Sequence, residues 1–301
     1  MTHRFAALLT STVLACVGAA VTLEAQRSQR PSESRSKQLY VSVLDGSGKP
    51  VTGLTAADFS VREEGVTREV LTAGPATDPI TIAVGVDDSE ASRQYIQFFR
   101  DALTSFVKKL DGKAQIALTT FGERPTVLVD YTDSTAALQQ GITRIFARQG
   151  GGAYLLEALV ELSRGMERRK EAPRKAIIII TVEAGPEFSN LYSKNVVDAL
   201  KRGGATLHVL AMGTPSSSDT DEMRNRNIAI AEGTELTGGR RDQVLAESGL
   251  SDRLLQLADE LTNQYVVSYS RPESLIPPEK LQVSVTKPGL TVRAPKRAPG
   301  K

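Results

Sequence analysis

Four consecutive isoleucines, inside Ala-Ile-Ile-Ile-Ile-Thr at 176–181, constrain this chain more than any other feature. A strand with one face in water alternates apolar and polar residues, whereas an unbroken β-branched run needs apolar cover on both faces. A second run of this kind, Ile-Thr-Ile-Ala-Val-Gly-Val, stands at 80–86. The segments around these runs carry helical spacing. Ile96, Phe99, Leu103, Phe106 and Leu110 step 3-4-3-4 and predict a helix over 92–110. Leu138, Ile142 and Ile145 mark a second helix, capped by Asp133, and Leu155, Leu159, Leu162 and Met166 a third, opened by Gly150, Gly151 and Gly152. Further strands are expected at 115–120, 126–129, 205–212 and 264–270. A helix is expected near 193–202, and two more after a polar loop at 214–221, the second over 251–261. Strand and helix in alternation predict an α/β fold: a doubly wound, mostly parallel, Rossmann-like sheet with helices on both faces.

The two ends read differently. Residues 39–44 alternate like a strand, 45–50 form a turn, and 55–58 read as one capped helical turn before a strand at 59–63. Residues 281–287 and 290–293 read as short strands around Pro288 and Gly289. The expectation is a small β domain formed by the N- and C-terminal strands. An N-terminal β unit at 39–75 and C-terminal strands at 271–294 flank an α/β domain at 78–270, with a basic tail at 295–301.

Arg4 is followed by an apolar stretch of about 19 residues and a small residue at Ala25, the pattern of a secretory signal peptide over 1–25. The competing readings are a membrane anchor, for which the stretch is marginally long and diluted by Thr, Ser and Gly, and acylation at Cys16. Cleavage predicts an exported protein, periplasmic or secreted, with no stable membrane span. Residues 26–38 are polar and read as a disordered linker. Beyond the leader there is no cysteine and a single histidine, His208, within a strand-like run. Net charge is +2, its excess lies in the tails, and no nucleic-acid partner is expected. The chain has no Gly-x-Ser-x-Gly, His-Glu-x-x-His or phosphate-loop signature, which argues against an enzyme.

In parallel sheets ligands gather at the carboxyl ends of the strands. Three stretches fall there: Val-Asp-Asp-Ser-Glu-Ala-Ser at 86–92, the glycines at 150–152, and Val182 with Glu183. The glycines admit two readings, a backbone cradle for phosphate helped by Arg148, or a tight turn that lets the loop approach Asp87.

A strand ending in Asp-x-Ser, an amphipathic helix, a Gly-Gly loop before Leu-Glu-Ala-Leu and an Ile-rich strand ending near an acid resemble a von Willebrand factor type A (vWA) domain. Val-Thr-Gly-Leu-Thr-Ala-Ala-Asp-Phe-Ser-Val-Arg-Glu-Glu-Gly at 51–65, Leu-Thr-Gly-Gly at 236–239, Asn-Gln-Tyr-Val-Val-Ser-Tyr at 263–269 and the closing strands are similar to a vWA-related family of exported bacterial proteins. The resemblance covers about residues 39–294 and implies protein binding through a metal-ion-dependent adhesion site. That site takes Asp-x-Ser-x-Ser on one loop, a Thr on a second and an Asp on a third. Here Asp87 and Ser89 match, while Ala91, Ala153 and Val182 stand at the other three positions. The resemblance therefore implies a degenerate adhesion site, with no cofactor expected. Asp88, Glu90, Ser92 and Glu183 lie one residue off and form the alternative, a rearranged site for Mg²⁺ or Ca²⁺. The function expected is a secreted, non-enzymatic adhesion module. It would bind a protein or cell-envelope partner through the loops near Asp87, Gly151 and Glu183. A hydrolase or nucleotide-binding enzyme on the same kind of sheet is the reading from a different class.

Overall fold

The computed structural model describes residues 34–214, 220–272 and 278–297. The expected signal peptide, with Cys16, lies outside them. The described residues open with four strands, β1 (Ser34–Leu44), β2 (Phe59–Glu63), β3 (Val66–Arg68) and β4 (Val70–Pro75). Strand β5 (Ile80–Val86), every residue of it buried, begins the α/β part. It runs through a 3-10 turn at Glu90–Tyr95 into α1 (Ile96–Lys109). Then come β6 (Ala114–Thr120), β7 (Thr126–Thr132), α2 (Thr135–Thr143), α3 (Leu155–Arg168), β8 (Arg174–Val182), α4 (Ser193–Gly203) and β9 (Thr206–Met212). The chain continues through α5 (Asp221–Thr237), β10 (Arg240–Val244), α6 (Gly249–Thr262) and β11 (Tyr265–Pro272). It closes with β12 (Leu281–Val285) and β13 (Thr291–Arg293).

The large sheet has the order β10-β9-β8-β5-β6-β7. All of its pairings are parallel except β6 with β7. Both faces are covered, as the isoleucine run requires. Ile178, Ile180 and Val182 pack with α1, α2 and α6 on one side, and Ile177 and Ile179 with α3, α4 and α5 on the other. Burying one such aliphatic side chain stabilises the fold by about 1.5–3 kcal/mol, so the doubly covered strands anchor the core. Ser134, not Asp133, caps α2: the Ser134 hydroxyl accepts the Ala137 N–H, one residue nearer the first helical turn. Strand β10, Arg-Arg-Asp-Gln-Val, was not expected from its sequence, because an edge strand this polar carries no apolar signal.

The N- and C-terminal strands build two small sheets, of order β13-β1-β11-β4 and β12-β2-β3. Their core is Leu39, Val41, Val43, Phe59, Val61, Tyr265, Val267 and Tyr269. Two expected boundaries need correction. Strand β11, expected inside an α/β domain ending at 270, pairs antiparallel with β1 and β4, because its inward residues meet that smaller core. Residues 34–38, expected within the linker, form the start of β1, where backbone pairing with residues 268–272 outweighs their polar character.

Arg174, at the start of β8, ties the two parts together. Its guanidinium donates to the carbonyls of Ala76, Asp78 and Leu261 and to the Gln264 side chain. Among the described residues no helix is long and apolar enough to cross a membrane.

Candidate functional site

Strand β5 ends at Val86 and delivers Asp87, Asp88 and Ser89 to the carboxyl end of the sheet, all three buried. The strand geometry continues for one residue beyond β5, since the Asp87 N–H donates to Ile180 O at 2.8 Å. The Asp87 carboxylate is satisfied from within the chain. Its Oδ1 accepts the Ser89 N–H at 3.0 Å, a local turn that needs no ion. Its Oδ2 accepts the Thr181 hydroxyl at 3.0 Å and the Val182 N–H at 3.3 Å.

The other positions of the family pattern divide sharply. Ser89 Oγ is buried with no hydrogen-bond partner, so one oxygen does face the site. Ala91 packs towards Gly185, where an added Cβ would come within 3.0 Å of the Ala91 methyl and 3.2 Å of Val182 Cγ2. Ala153 is buried and engaged through its backbone: its N–H donates to Pro186 O at 2.9 Å, and its carbonyl accepts the Phe188 N–H at 2.7 Å. The Val182 side chain belongs to the apolar core. A Mg²⁺ ion takes about six oxygens in a near-octahedral array. The five positions offer two oxygen-bearing side chains, and one of them, the Asp87 carboxylate, already accepts three protein hydrogen bonds, so the residues present do not fit a divalent cation. No group of three or more His, Cys, Asp or Glu among the described residues could hold a metal.

The acids one residue off the pattern are brought to the same face, and each meets an arginine. Asp88 Oδ2 accepts Arg148 Nε at 3.1 Å, and its Oδ1 accepts the Gly122 N–H at 2.5 Å. Glu90 Oε2 accepts Arg93 Nη2 at 2.7 Å and the Gly150 N–H at 3.1 Å. Those bonds, Arg93 first, hold the exposed Glu90 carboxyl below its usual range. Glu183 Oε1 accepts Arg241 Nη2 at 2.6 Å. The Ser92 hydroxyl donates to Ser89 O at 2.8 Å.

The glycine loop lies directly against this turn. Gly151 O accepts the Glu90 N–H at 3.0 Å, and a Cβ on Gly151 would stand 2.6 Å from Gly122 O. The amides of Gly150 and Gly151 are spent on Glu90 and on Arg148 O. The tight-turn reading therefore fits the geometry, and a phosphate cradle does not.

Two buried groups at this face escape sequence reasoning. Arg226 of α5, 1% exposed, donates from Nη2 to Val182 O at 2.6 Å and lies 3.4 Å from Thr181 Oγ1. Glu187, 4% exposed, accepts the Leu155 N–H at 3.0 Å and the Ser189 N–H at 3.3 Å on Oε1, while Oε2 has no partner. Burial pushes its carboxyl up to about 7, against the pull of Ser189 and Arg226. The contacts that bring them to this face are distant in sequence, 44 residues for Arg226 with Val182 and 32 for Glu187 with Leu155, so neither carries a local signal of its place. Outward, Phe188 covers Gly152 and meets Tyr154 edge-on with ring centroids 6.2 Å apart.

Residues 82–183 match the sequence model of the family described as von Willebrand factor type A domain. No curated protein matches the chain. Among solved structures, the chain is similar to a von Willebrand factor type A protein from Catenulispora acidiphila, with 12% identity over 87% of this chain and 72% of that one, and a TM-score of 0.49. It is also similar to proximal thread matrix protein 1 from the mussel byssus, with 18% identity over 66% of this chain and 50% of that one, and a TM-score of 0.49. A third is the vWF domain of the type V pili tip protein Mfa5 from Porphyromonas gingivalis, with 14% identity over 61% of this chain and 95% of that one, and a TM-score of 0.46. With the Asp87–Ser89 turn at the end of a doubly covered parallel strand, the family match identifies residues 82–183 of this chain as a von Willebrand factor type A-related domain.

Proposed function

We propose that this chain is an exported, non-enzymatic binding module that engages a protein or cell-envelope partner through the loops near Asp87, Gly151 and Glu183, without a divalent ion. The observation that carries this reading is the internal pairing of that face: Asp88, Glu90 and Glu183 each hold an arginine. An ion bridging to a partner's carboxylate needs free donor oxygens and an open coordination position. Here the acids are neutralised by the chain's own side chains, and a cation site rebuilt from them would first have to displace Arg148, Arg93 and Arg241. Beside these ion pairs the face offers aromatic side chains outward, with Phe188 47% and Tyr192 70% exposed. Such side chains supply large contact area for little rotamer entropy and are enriched at protein interfaces. The non-enzymatic part is supported by His208, which lies buried inside β9 with neither ring nitrogen bonded and so supplies no general base at the face. Export rests on the leader at 1–25, with acylation at Cys16 as its alternative.

The test is capture of a partner from envelope extracts of the host cell on the immobilised protein, with and without a chelator, beside Phe188→Asp. The same partner should be retained under chelation and lost with F188D. Loss on chelation with undiminished binding by F188D would overturn the reading. Intact mass of the cell-derived protein tests export: it should lack residues 1–25 and carry no acyl group.

A further inference from the structure

The five family positions lie on three loops, so an ion bound there would join those loops; this chain joins them by other means. Arg226 reaches from α5 to the last two residues of β8, where the loop after that strand begins. Its Nη2 donates to Val182 O at 2.6 Å and stands 3.4 Å from Thr181 Oγ1, and Nη1 lies 3.7 Å from Met223 Sδ. Thr181 in turn donates to Asp87 Oδ2 at 3.0 Å. One buried positive charge is thus linked through Thr181 to the first acid of the family pattern, and through the Val182 carbonyl to the position where the pattern's last acid is replaced. A guanidinium stays protonated under all ordinary conditions and presents a rigid fork of donors, which suits it to a fixed structural charge. Such a charge is not tolerated in a protein interior unless acids compensate it. Asp87, buried and reached through Thr181, is the acid on hand at this position.

We infer that Arg226 is the resident cation of this face, holding the loops after β5 and β8 in one arrangement where the family pattern would use a divalent ion. The inference rests on the metal-free reading proposed above and adds what stands in for the ion. It explains together three features that are otherwise unrelated: a fully buried arginine on α5, a valine at the last acid position, and an Asp87 carboxylate that accepts three protein hydrogen bonds. It also makes Arg226 a positioning residue that works through Thr181 and Val182.

Full-length protein is compared in four forms: wild type, R226M, the oxygen-restored A91S/A153T/V182D, and the restored protein carrying R226M as well. Manganese is titrated into each by calorimetry, and backbone hydrogen exchange is followed in wild type and R226M. Wild type should take up no manganese. The restored protein that keeps Arg226 should bind it at least about tenfold more weakly than the one carrying R226M, because the guanidinium competes for the carboxylate that V182D introduces and repels the ion. In R226M alone, exchange should quicken at 87–92 and 182–189. Equal affinity in the two restored proteins overturns the inference, as does faster exchange confined to α5. If the restored proteins do not fold, the exchange experiment decides, with the uncharged R226Q replacing R226M should the latter also fail. Manganese binding by wild type would instead sink the metal-free reading, so the two failures are distinguishable.

Discussion

Gly122 follows β6 and lies under the Asp87–Ser89 turn, and replacing it with alanine tests the packing of the candidate site. A Cβ at this position would stand 2.5 Å from the Asp88 carbonyl carbon, 2.6 Å from its oxygen and 2.6 Å from Ser89 N. Ordinary contact begins near 3.4 Å, so either the turn or the β6 end must move by about 1 Å. The obstacle is backbone, not a side-chain tip that could rotate away. Gly122 does not have a positive φ, so the effect is steric and not conformational. Overpacking of this kind costs about 1–3 kcal/mol. The shift would also loosen the Gly122 N–H bond to Asp88 Oδ1. At about 2–4 °C per kcal/mol for a domain of this size, Gly122→Ala should lower the Tm by roughly 2–12 °C. Gly46→Ala is the control: nothing lies within 4 Å of its Cβ position and its φ is ordinary, so it should be neutral or stabilise by about 0.4–1 kcal/mol. The assay is thermal and urea unfolding of both variants beside wild type. Equal stability of G122A and G46A would refute the close apposition of the β6 end to the Asp87–Ser89 turn.

Three further outcomes follow from buried charges. Glu187 keeps its proton in the folded chain up to about pH 7, while in the unfolded chain it ionises near its ordinary value of 4.5. The stability it contributes is therefore complete below pH 4.5 and lost as pH rises through 7, by roughly 3 kcal/mol at about 1.4 kcal/mol per unit. Glu187→Gln should flatten the Tm profile across that window, and an unchanged slope would contradict the burial argument. His208 behaves in the opposite sense: burial, then the charges of Arg240 and Arg293, hold its imidazole at about 3 against 6.5. Stability from neutral His208 is present above pH 6.5 and lost as pH falls towards 3, so His208→Leu should lessen acid unfolding, read as Tm between those limits. Glu63, 1% exposed, accepts the Tyr269 hydroxyl at 2.7 Å and the Arg68 guanidinium at 3.1 Å, with Arg271 at 3.6 Å. Glu63→Ala strands these groups between the two small sheets and should cost about 3–5 kcal/mol by urea unfolding.

The parts of the fold legible in the sequence are those specified by local periodicity. Continuous apolar runs mark β5 and β8, and the 3-4 spacing of Leu155, Leu159, Leu162 and Met166 marks the inward stripe of α3. Legibility fails where pairing decides instead. Residues 34–38 become strand only because β11 lies beside them, and β11 itself alternates in a way compatible with either sheet. At the site, Asp87 and Ser89 were visible as a turn at a strand end, and Ala91, Ala153 and Val182 as missing oxygens. The arginines that pair with the neighbouring acids were not. Arg148 and Arg241 lie 60 and 58 residues from Asp88 and Glu183, and Arg226, which bonds a carbonyl instead of an acid, lies 44 residues from Val182. Nothing in their local sequence separates them from solvated surface arginines.

A vWA face closed by protein donors, as proposed here, has no need of an ion. Calorimetric titration of Mg²⁺, Mn²⁺ and Ca²⁺ into the full chain, beside Asp87→Ala, tests it most directly. Neither protein should give saturable heat with any of the three ions. Saturable binding to wild type tighter than about 1 mM, abolished by D87A, would contradict it and restore a cation site built around Asp87.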